Sequence, residues 1–386
     1  LEVVSMESMK QLIGEHWVDA RSGKTLDNVN PATEQVIGQF PRSDREDVER
    51  AMTTAEEAYE GAWRKIAAAE RGRLLARFAD LVERDSELIG TMVSEDMGKP
   101  LADAIALVAG AVGDLRYYAG LTDKIEGKLL HAPAGQFAYT VREPFGVVAA
   151  IVPWNFPVNQ AMIKGAPALA AGNAMILNPS EIAPRSALHL GKLALESGLP
   201  PGTLNVITGL GDEAGAALVE HPRLERLSFT GSSETGRHIV RGSAVNFKKL
   251  TLELGGKTAN IVMPDANMDA AVTWANRISF FNSGQICTTG SRLLLHKDIK
   301  DKFLSRFVER ASRIVVGDPT KDGTTMGPVC SKDQYDKVQH YLKIAKNENA
   351  RFLLGGDEAV SGSGGKGFYV QPTILDGVSR SSAVAQ

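Results

Sequence analysis

From residue 145 onward, short apolar runs alternate with amphipathic stretches. The runs GVVAAIV (146–152), AMIL (174–177), TLNVIT (203–208), RLSF (226–229) and KLTLEL (249–254) are predicted strands. Helices are predicted between them, around 160–171 and over 184–197, 213–220 and 233–241. Near-continuous apolar runs belong to strands buried on both faces, and helical crossovers between them build a parallel sheet. A second α/β stretch begins at TANIVM (258–263), with a helix over 268–281, a strand RLLLH (292–296) and a helix over 298–314. The expected boundary falls near Gly255–Gly256.

Upstream, residues 44–61 and 67–90 carry helical spacing, with Ser43 as the expected N-cap and acidic residues in the first turn. A third helix is expected over about 100–120. The stretch QFAYTVREP (136–144) alternates like a half-exposed strand. SGSGGKG (361–367) reads as a loop tip, and no internal repeat stands out.

Composition narrows the function classes. The 386 residues carry a formal net charge of −3, which leaves no electrostatic footprint for nucleic acid. No apolar run approaches the roughly 20 residues that span a bilayer, and LEVVSMESMK at the N-terminus lacks a secretory layout. Two cysteines, Cys287 and Cys330, cannot form a disulfide framework for a chain of this size, which points to a reducing, cytoplasmic setting. The seven histidines show no close His/Cys ligand spacing, so no metal is expected.

Two predicted strand-to-helix turns are glycine-rich: TGLGDEAG (208–215) and FTGSSETG (229–236). Backbone N–H groups at a helix N-terminus attract phosphate, and glycine lets a pyrophosphate approach. Neither turn matches G-x-G-x-x-G or a P-loop, and tight turns need glycine for conformation alone. On consecutive βα units they make a dinucleotide site plausible. LNPSEIAP (177–184) sets Ser180 and Glu181 at a strand's carboxyl end, where an acid can bond ribose hydroxyls and repel a 2′-phosphate. Capping of the next helix is the alternative for both.

Three further residues carry candidate chemistry. Asn155 lies between prolines in IVPWNFP (151–157), so its amide is held in one orientation and can donate to a developing oxyanion; a helix cap is the alternative. Glu253 ends a predicted buried strand in LELGGKTAN (252–260), where partly apolar surroundings suit a general base; an ordinary surface Glu is the alternative. Cys287, in FFNSGQICTTGSR (280–292), is a candidate nucleophile or a buried small hydrophobe. A thiol, a carboxylate, an amide donor and a dinucleotide site together fit oxidation of an aldehyde through a thioester.

Those motifs, PWNFP, LNPSE, FTGSSETG, LELGGK and GQICTTGSR, stand in the order found in the NAD(P)-dependent aldehyde dehydrogenase superfamily, which the chain resembles over nearly its whole length. The interval from Glu253 to Cys287 also fits, and GEHWVDARSGKTLDNVNPATEQVIG (14–38) is similar to the family's opening hairpin region. The resemblance implies an α/β fold with a Rossmann-type cofactor domain (1–119 and 145–254), a β oligomerisation extension (120–144) and an α/β catalytic domain (255–386). Members continue beyond SRSSAVAQ with a Glu-x-Phe-Gly-Pro segment, so the C-terminal remainder of the catalytic domain is expected to be absent from this chain.

Carried over residue by residue, the resemblance implies that Cys287 attacks the aldehyde carbon while Asn155 and the Cys287 backbone N–H hold the oxyanion. Glu253 would activate water to hydrolyse the thioester, and Lys164 in AMIKGAP would assist proton transfer. Trp154, Asn178, Ser180 and Glu181 would line the dinucleotide site, with Gly211, Phe229, Thr230, Gly231, Ser232 and Leu254. Members usually have Lys at Asn178; a neutral Asn beside the acidic Glu181 implies NAD as cofactor, with NADP less favoured.

Phe156, Asn159, Gln160 and Ile163 would line the aldehyde channel, with Phe281, Ile286 and Thr288 near the thiol. Ile163 supplies neither the Arg of succinate-semialdehyde relatives nor the Trp of betaine-aldehyde relatives, so an uncharged aliphatic or aromatic aldehyde is expected. A homodimer or homotetramer is implied, with no nucleic acid or membrane partner. Two other readings stay open. One is a CoA-acylating enzyme, against which Glu253 argues; the other is a non-catalytic homologue, against which Cys287, Glu253 and Asn155 argue.

Overall fold

The computed structural model describes residues 7–356 and 365–386. The chain divides into two compact units: 1–28, 38–89 and 105–253 form the first, and 29–37, 90–104 and 254–386 the second.

The first unit is built on a seven-stranded sheet. Its strands are β1 (Gln11–Ile13), β2 (His16–Val18), β3 (Val147–Val152), β4 (Ala174–Pro179), β5 (Leu204–Val206), β6 (Arg226–Gly231) and β7 (Lys249–Leu254), in the order β7-β6-β3-β4-β5-β1-β2. β6, β3, β4 and β5 are parallel neighbours, with Val147 opposite Ala174 and Arg226 opposite Val148. β1 joins β5 antiparallel and pairs with β2 in a hairpin. That hairpin overlaps the opening hairpin region that the resemblance implies over 14–38 and begins three residues earlier, at Gln11.

Alternation sorts the two faces. Val147, Ala149, Ala174, Ile176, Leu227 and Phe229 share one core with Val48, Ala51, Met52 and Ala55 of the helix Arg45–Glu60. The helical residues recur at i, i+3, i+4 and i+7, the stripe that an amphipathic helix buries. Their near-complete burial is the main stabilising term here, about 1.5–3 kcal/mol for each large side chain. On the other face Met175 packs against Gly165 of the helix Pro157–Ala170.

Several expectations are corrected. The N-cap of Arg45–Glu60 is Asp44, not Ser43: Asp44 accepts from Glu46 N at 2.9 Å, and Asp47 completes a capping box. Ser43 is buried and donates to Gln11 Oε1 at 2.6 Å. The stretch 67–90 is two helices, Ala68–Arg84 and Ser86–Met97, broken at Asp85, whose carboxylate pairs with Arg84 and His189. Of 136–144 only Ala138–Tyr139 is strand, paired antiparallel with Leu129–Leu130. Beyond the strand Thr140 N still donates to Lys128 O at 2.8 Å, and the pairing is not extended into a longer strand. β7 is an edge strand rather than a buried one. The loop tip expected at 361–367 lies outside the described residues at 361–364.

The second unit carries β8 (Ala259–Val262) and β9 (Arg292–Leu295), which are parallel, and β10 (Arg351–Leu354) and β11 (Ile374–Asp376), which are antiparallel. Val262, Val272, Ala275, Phe303, Phe307, Ala311 and Ile374 form its core, drawn largely from the helices Met268–Phe280 and Lys300–Ala311. Residues 29–37 belong here because Phe368 N donates to Pro31 O at 2.9 Å and Gly367 N to Glu34 Oε1 at 2.7 Å. Among the described residues no helix is long and apolar enough to cross a membrane.

Candidate active site

In the first unit the chain leaves β3 toward β4 on one side and later returns to place β6 on the other. The connections therefore diverge at the carboxyl ends of β3 and β6, the switch point at which open α/β sheets bind ligands. Trp154 and Asn155 follow β3, Ser180 and Glu181 follow β4, and Thr230 and Gly231 end β6. Pro157 opens the next helix; its N-cap is Phe156, and no side chain caps it.

Ser232 is the N-cap of the helix Ser233–Gly242 and accepts from Thr235 N at 3.0 Å. The ring of buried Phe229 lies so close under Gly231 that a Cβ there would sit 2.3 Å from it. Gly211 opens a single π-type turn, Gly211–Gly215, and the space where its Cβ would project is open. Ser180 Oγ accepts from Ile182 N at 3.3 Å and faces the exposed Glu181 carboxylate at 3.2 Å. Neither caps the helix Arg185–Glu196, whose N-cap is Pro184. A helix N-terminus, bare glycine backbone and an exposed carboxylate along the carboxyl edge of a sheet with a switch point fit a dinucleotide.

Asn178 is buried inside β4 and its Nδ2 donates to Ile207 O at 2.9 Å, so its amide braces the sheet. Asn159 Nδ2 donates to Leu107 O at 2.9 Å and packs on Gly110. Ile163 is half exposed. Lys164 is partly buried, which draws its pKa down, while Glu253 opposes the shift. Its Nζ donates to Thr230 Oγ1 at 2.7 Å.

Glu253 itself is exposed. Leu250 and Leu252 of β7 pack on the sheet's core, and strand alternation turns Glu253 to the opposite side. Of the two surroundings the sequence leaves open for Glu253, the structure has the ordinary surface one: its carboxylate is in contact with solvent.

In the second unit the helix Met268–Phe280 ends in an unusual turn. Asn282, Ser283 and Gly284 have φ of 53°, 57° and 75°, three successive residues in left-handed conformation. For the two residues with a Cβ this costs about 1–2 kcal/mol each, and such strain persists only where surroundings fix it. The fixings are visible. Ser283 Oγ donates to Gly327 O at 2.9 Å, Gln285 Nε2 donates to Asn282 O at 3.1 Å, and Gln285 Oε1 accepts from Cys330 N at 3.0 Å.

Cys287 follows this turn and is exposed, whereas Cys330 is buried. Behind the loop, a Cβ on Gly256 would lie 2.9 Å from Cys287 O. Beside it opens a pocket of about 280 Å³ lined by Phe281, Ile286 and Thr288, together with Trp274, Arg277, Ile278 and Thr289. Trp274, Arg277, Ile278 and Phe281 are spaced i, i+3, i+4 and i+7, so a helical reading of 268–281 had the signal to find the first three. The Arg277 guanidinium lies 5.6 Å from the Phe281 ring centroid and 6.0 Å from that of Trp274. Among the described residues no group of His, Cys, Asp and Glu could hold a metal ion.

The sequence matches the aldehyde dehydrogenase family over residues 17–386. It is 42% identical over 375 residues to an aldehyde dehydrogenase of Emericella nidulans, covering 97% of this chain and 75% of that protein. The NAD+ complex of aldehyde dehydrogenase from Bacillus cereus superposes with a TM-score of 0.96 at 37% identity, over 98% of this chain and 77% of that one. A 3,6-anhydro-L-galactose dehydrogenase in complex with NAP gives 0.96 at 33% identity, over 98% and 80%. The chain belongs to the aldehyde dehydrogenase family, and the reaction it catalyses is the oxidation of an aldehyde.

Proposed function

We propose that the protein oxidises its aldehyde to the carboxylic acid through a thioester on Cys287. The observation that carries this reading is the exposed Cys287 thiol at the end of a strained, hydrogen-bonded turn, in contrast to the buried Cys330. The Cys287 thiolate adds to the carbonyl carbon and forms a thiohemiacetal. Asn155 Nδ2 and the Cys287 backbone N–H carry the oxyanion. A dinucleotide held at Ser232, Gly231 and Gly211 would supply the hydride acceptor for oxidation of this adduct to a thioester. Glu253 takes a proton from water, whose oxygen attacks the thioester; the acid leaves and the thiolate is restored. Exposure of Glu253 supports this role, since its carboxylate is open to water.

The first unit is the cofactor domain in this reading and the second the catalytic domain. Ser232, Gly231 and Gly211 would hold the pyrophosphate region, Glu181 and Ser180 a ribose, and Trp154, Thr230, Phe229 and Leu254 the remaining walls. NAD is the favoured cofactor because the exposed Glu181 carboxylate repels a 2′-phosphate and Asn178 offers no compensating cation. Solved relatives carry NAD+ or NAP, which supports a nicotinamide dinucleotide of either kind in this fold.

The substrate is an uncharged aliphatic or aromatic aldehyde. Trp274, Ile278, Phe281 and Ile286 give an apolar pocket. Arg277 is engaged by two aromatic faces and by the field of Asp103, so it is not a spare anion clamp. Assembly as a homodimer or homotetramer is supported by exposed Leu129, Phe137, Tyr139 and Val141 around the 120–144 hairpin. A cytoplasmic location is supported by two cysteines that form no disulfide.

The test is Cys287→Ala assayed for NADH formation across an aldehyde panel. Loss of activity with NAD binding retained is expected; an active variant would overturn the role of Cys287. Stimulation of product formation by coenzyme A, with an acyl-CoA product, would instead favour the acylating reading.

A further inference from the structure

Three polar groups of the first unit close a ring of hydrogen bonds. Lys164 Nζ donates to Thr230 Oγ1 at 2.7 Å and to Gln160 Oε1 at 3.3 Å, and Thr230 Oγ1 donates to Gln160 Oε1 at 3.0 Å. An ammonium has only protons to give and a carboxamide oxygen only lone pairs, so the direction of every bond is fixed. The Thr230 hydroxyl receives a proton from Lys164 and points its own at Gln160. Gln160 Oε1 is the terminal acceptor for both.

Two elements meet here. Gln160 and Lys164 are one turn apart on the helix Pro157–Ala170, on a shared face. Thr230 stands near the carboxyl end of β6, the strand beside β3 from which that helix departs. Thr230 is buried, and Gln160 and Lys164 are partly so. A hydrogen bond in such surroundings is stronger than in water, and its loss leaves a donor with nothing to bond.

Family resemblance assigns Gln160 to the wall of the aldehyde channel. Its oxygen, however, already serves two donors inside the protein. We propose that Gln160 is a positioning residue: it holds the Lys164 ammonium against Thr230 and orients the Thr230 hydroxyl at the switch point of the sheet. Lys164 sits on a flexible four-carbon stem with three rotatable donors. Without the acceptor at Gln160, the Thr230 hydroxyl turns and Lys164 keeps only one side-chain partner in the ring. The proposal rests on the reading above that Lys164 and Thr230 serve the reaction and its cofactor.

The experiment compares wild type, Gln160→Met, Gln160→Glu, Lys164→Met and the Gln160→Met/Lys164→Met double variant, with NAD and a neutral aldehyde. Met keeps the length of the side chain and removes the acceptor; Glu keeps an acceptor. Gln160→Met is expected to lower kcat by about tenfold, to raise the KM for NAD, and to leave the KM for aldehyde within about twofold. Gln160→Glu should recover most of the lost rate. In the double variant, Gln160→Met should add little to the loss caused by Lys164→Met, because coupled residues are non-additive.

A rise in the aldehyde KM with kcat unchanged would overturn positioning in favour of channel lining. Gln160→Met with wild-type kinetics, where Lys164→Met is slow, would overturn positioning alone. Lys164→Met with wild-type kinetics would overturn both the proposal and the assignment of Lys164 to the reaction. Failure of Gln160→Glu to recover rate, with its NAD binding intact, would also count against the acceptor role.

Discussion

The side-chain oxygen of Gln285 accepts the backbone N–H of Cys330 at 3.0 Å, across 45 residues of sequence. The same carboxamide donates to Asn282 O, so one side chain ties the left-handed run before Cys287 to the segment 327–330. Gln285→Ala removes both bonds and leaves the Cys330 N–H without this acceptor, at a cost of about 1–3 kcal/mol. The variant is expected to unfold at lower denaturant concentration and to alkylate Cys287 with iodoacetamide at a changed rate. Unchanged stability and an unchanged alkylation rate would contradict the bracing role.

Gly256 gives a second handle on the same loop. A Cβ there would press on Cys287 O from 2.9 Å, and the obstacle is backbone, not a movable side-chain end. Gly256→Ala is expected to displace the nucleophile by a few tenths of an ångström and to lower kcat by about tenfold or more, since small misplacements cost large factors. Steady-state assay of a variant that binds NAD normally checks this. Wild-type kcat would show that the loop absorbs the methyl without consequence.

Lys99 predicts a pH dependence of stability. It is almost fully buried, and burial pulls its pKa from 10.5 down to about 7, with Asp103 opposing. Between pH 7 and 10.5 the unfolded chain holds a proton at this site that the folded chain does not, so stability contributed here rises with pH across that window and is flat below it. Lys99→Met removes that slope. Calorimetry from pH 7 to 9.5 should therefore show the wild-type Tm rising relative to the variant's. A constant Tm difference would contradict the shift.

Cofactor choice turns on Glu181. NAD is expected to give a higher kcat/KM than NADP, and Glu181→Gln to narrow the ratio by removing the like-charge repulsion of a 2′-phosphate. Repulsion between exposed charges is screened by salt, so the narrowing should shrink at high ionic strength. Equal or better kcat/KM with NADP in the wild type would contradict the preference.

Much of the fold around the candidate site was legible in sequence because it follows backbone pattern. The uninterrupted apolar runs of β3 and β4 read as strands buried on both faces, and glycine-bearing turns after β5 and β6 marked where helical turns would begin. The helix carrying Trp274, Arg277 and Ile278 was legible too, although its pocket face was not drawn from it. Contacts between distant segments were hidden. Nothing local shows that Gln160 Oε1 meets Thr230 across 70 residues, that Gln285 reaches Cys330, or that Ser43 is drawn to Gln11 and leaves the N-cap to Asp44. The surroundings of Glu253 stayed open for a related reason. KLTLEL reads the same for a central or an edge strand, and only the strand order decides how much water its carboxylate meets.

In the proposed mechanism Cys287 carries the acyl group and Glu253 removes it. Acid-quenched intact-mass analysis of Glu253→Gln, mixed with NAD and a neutral aldehyde, tests both halves at once. A burst of NADH that stalls is expected, with the acyl mass retained on the protein and mapped to the peptide containing Cys287. Steady turnover with no retained adduct, or an adduct mapped to Cys330, would contradict it.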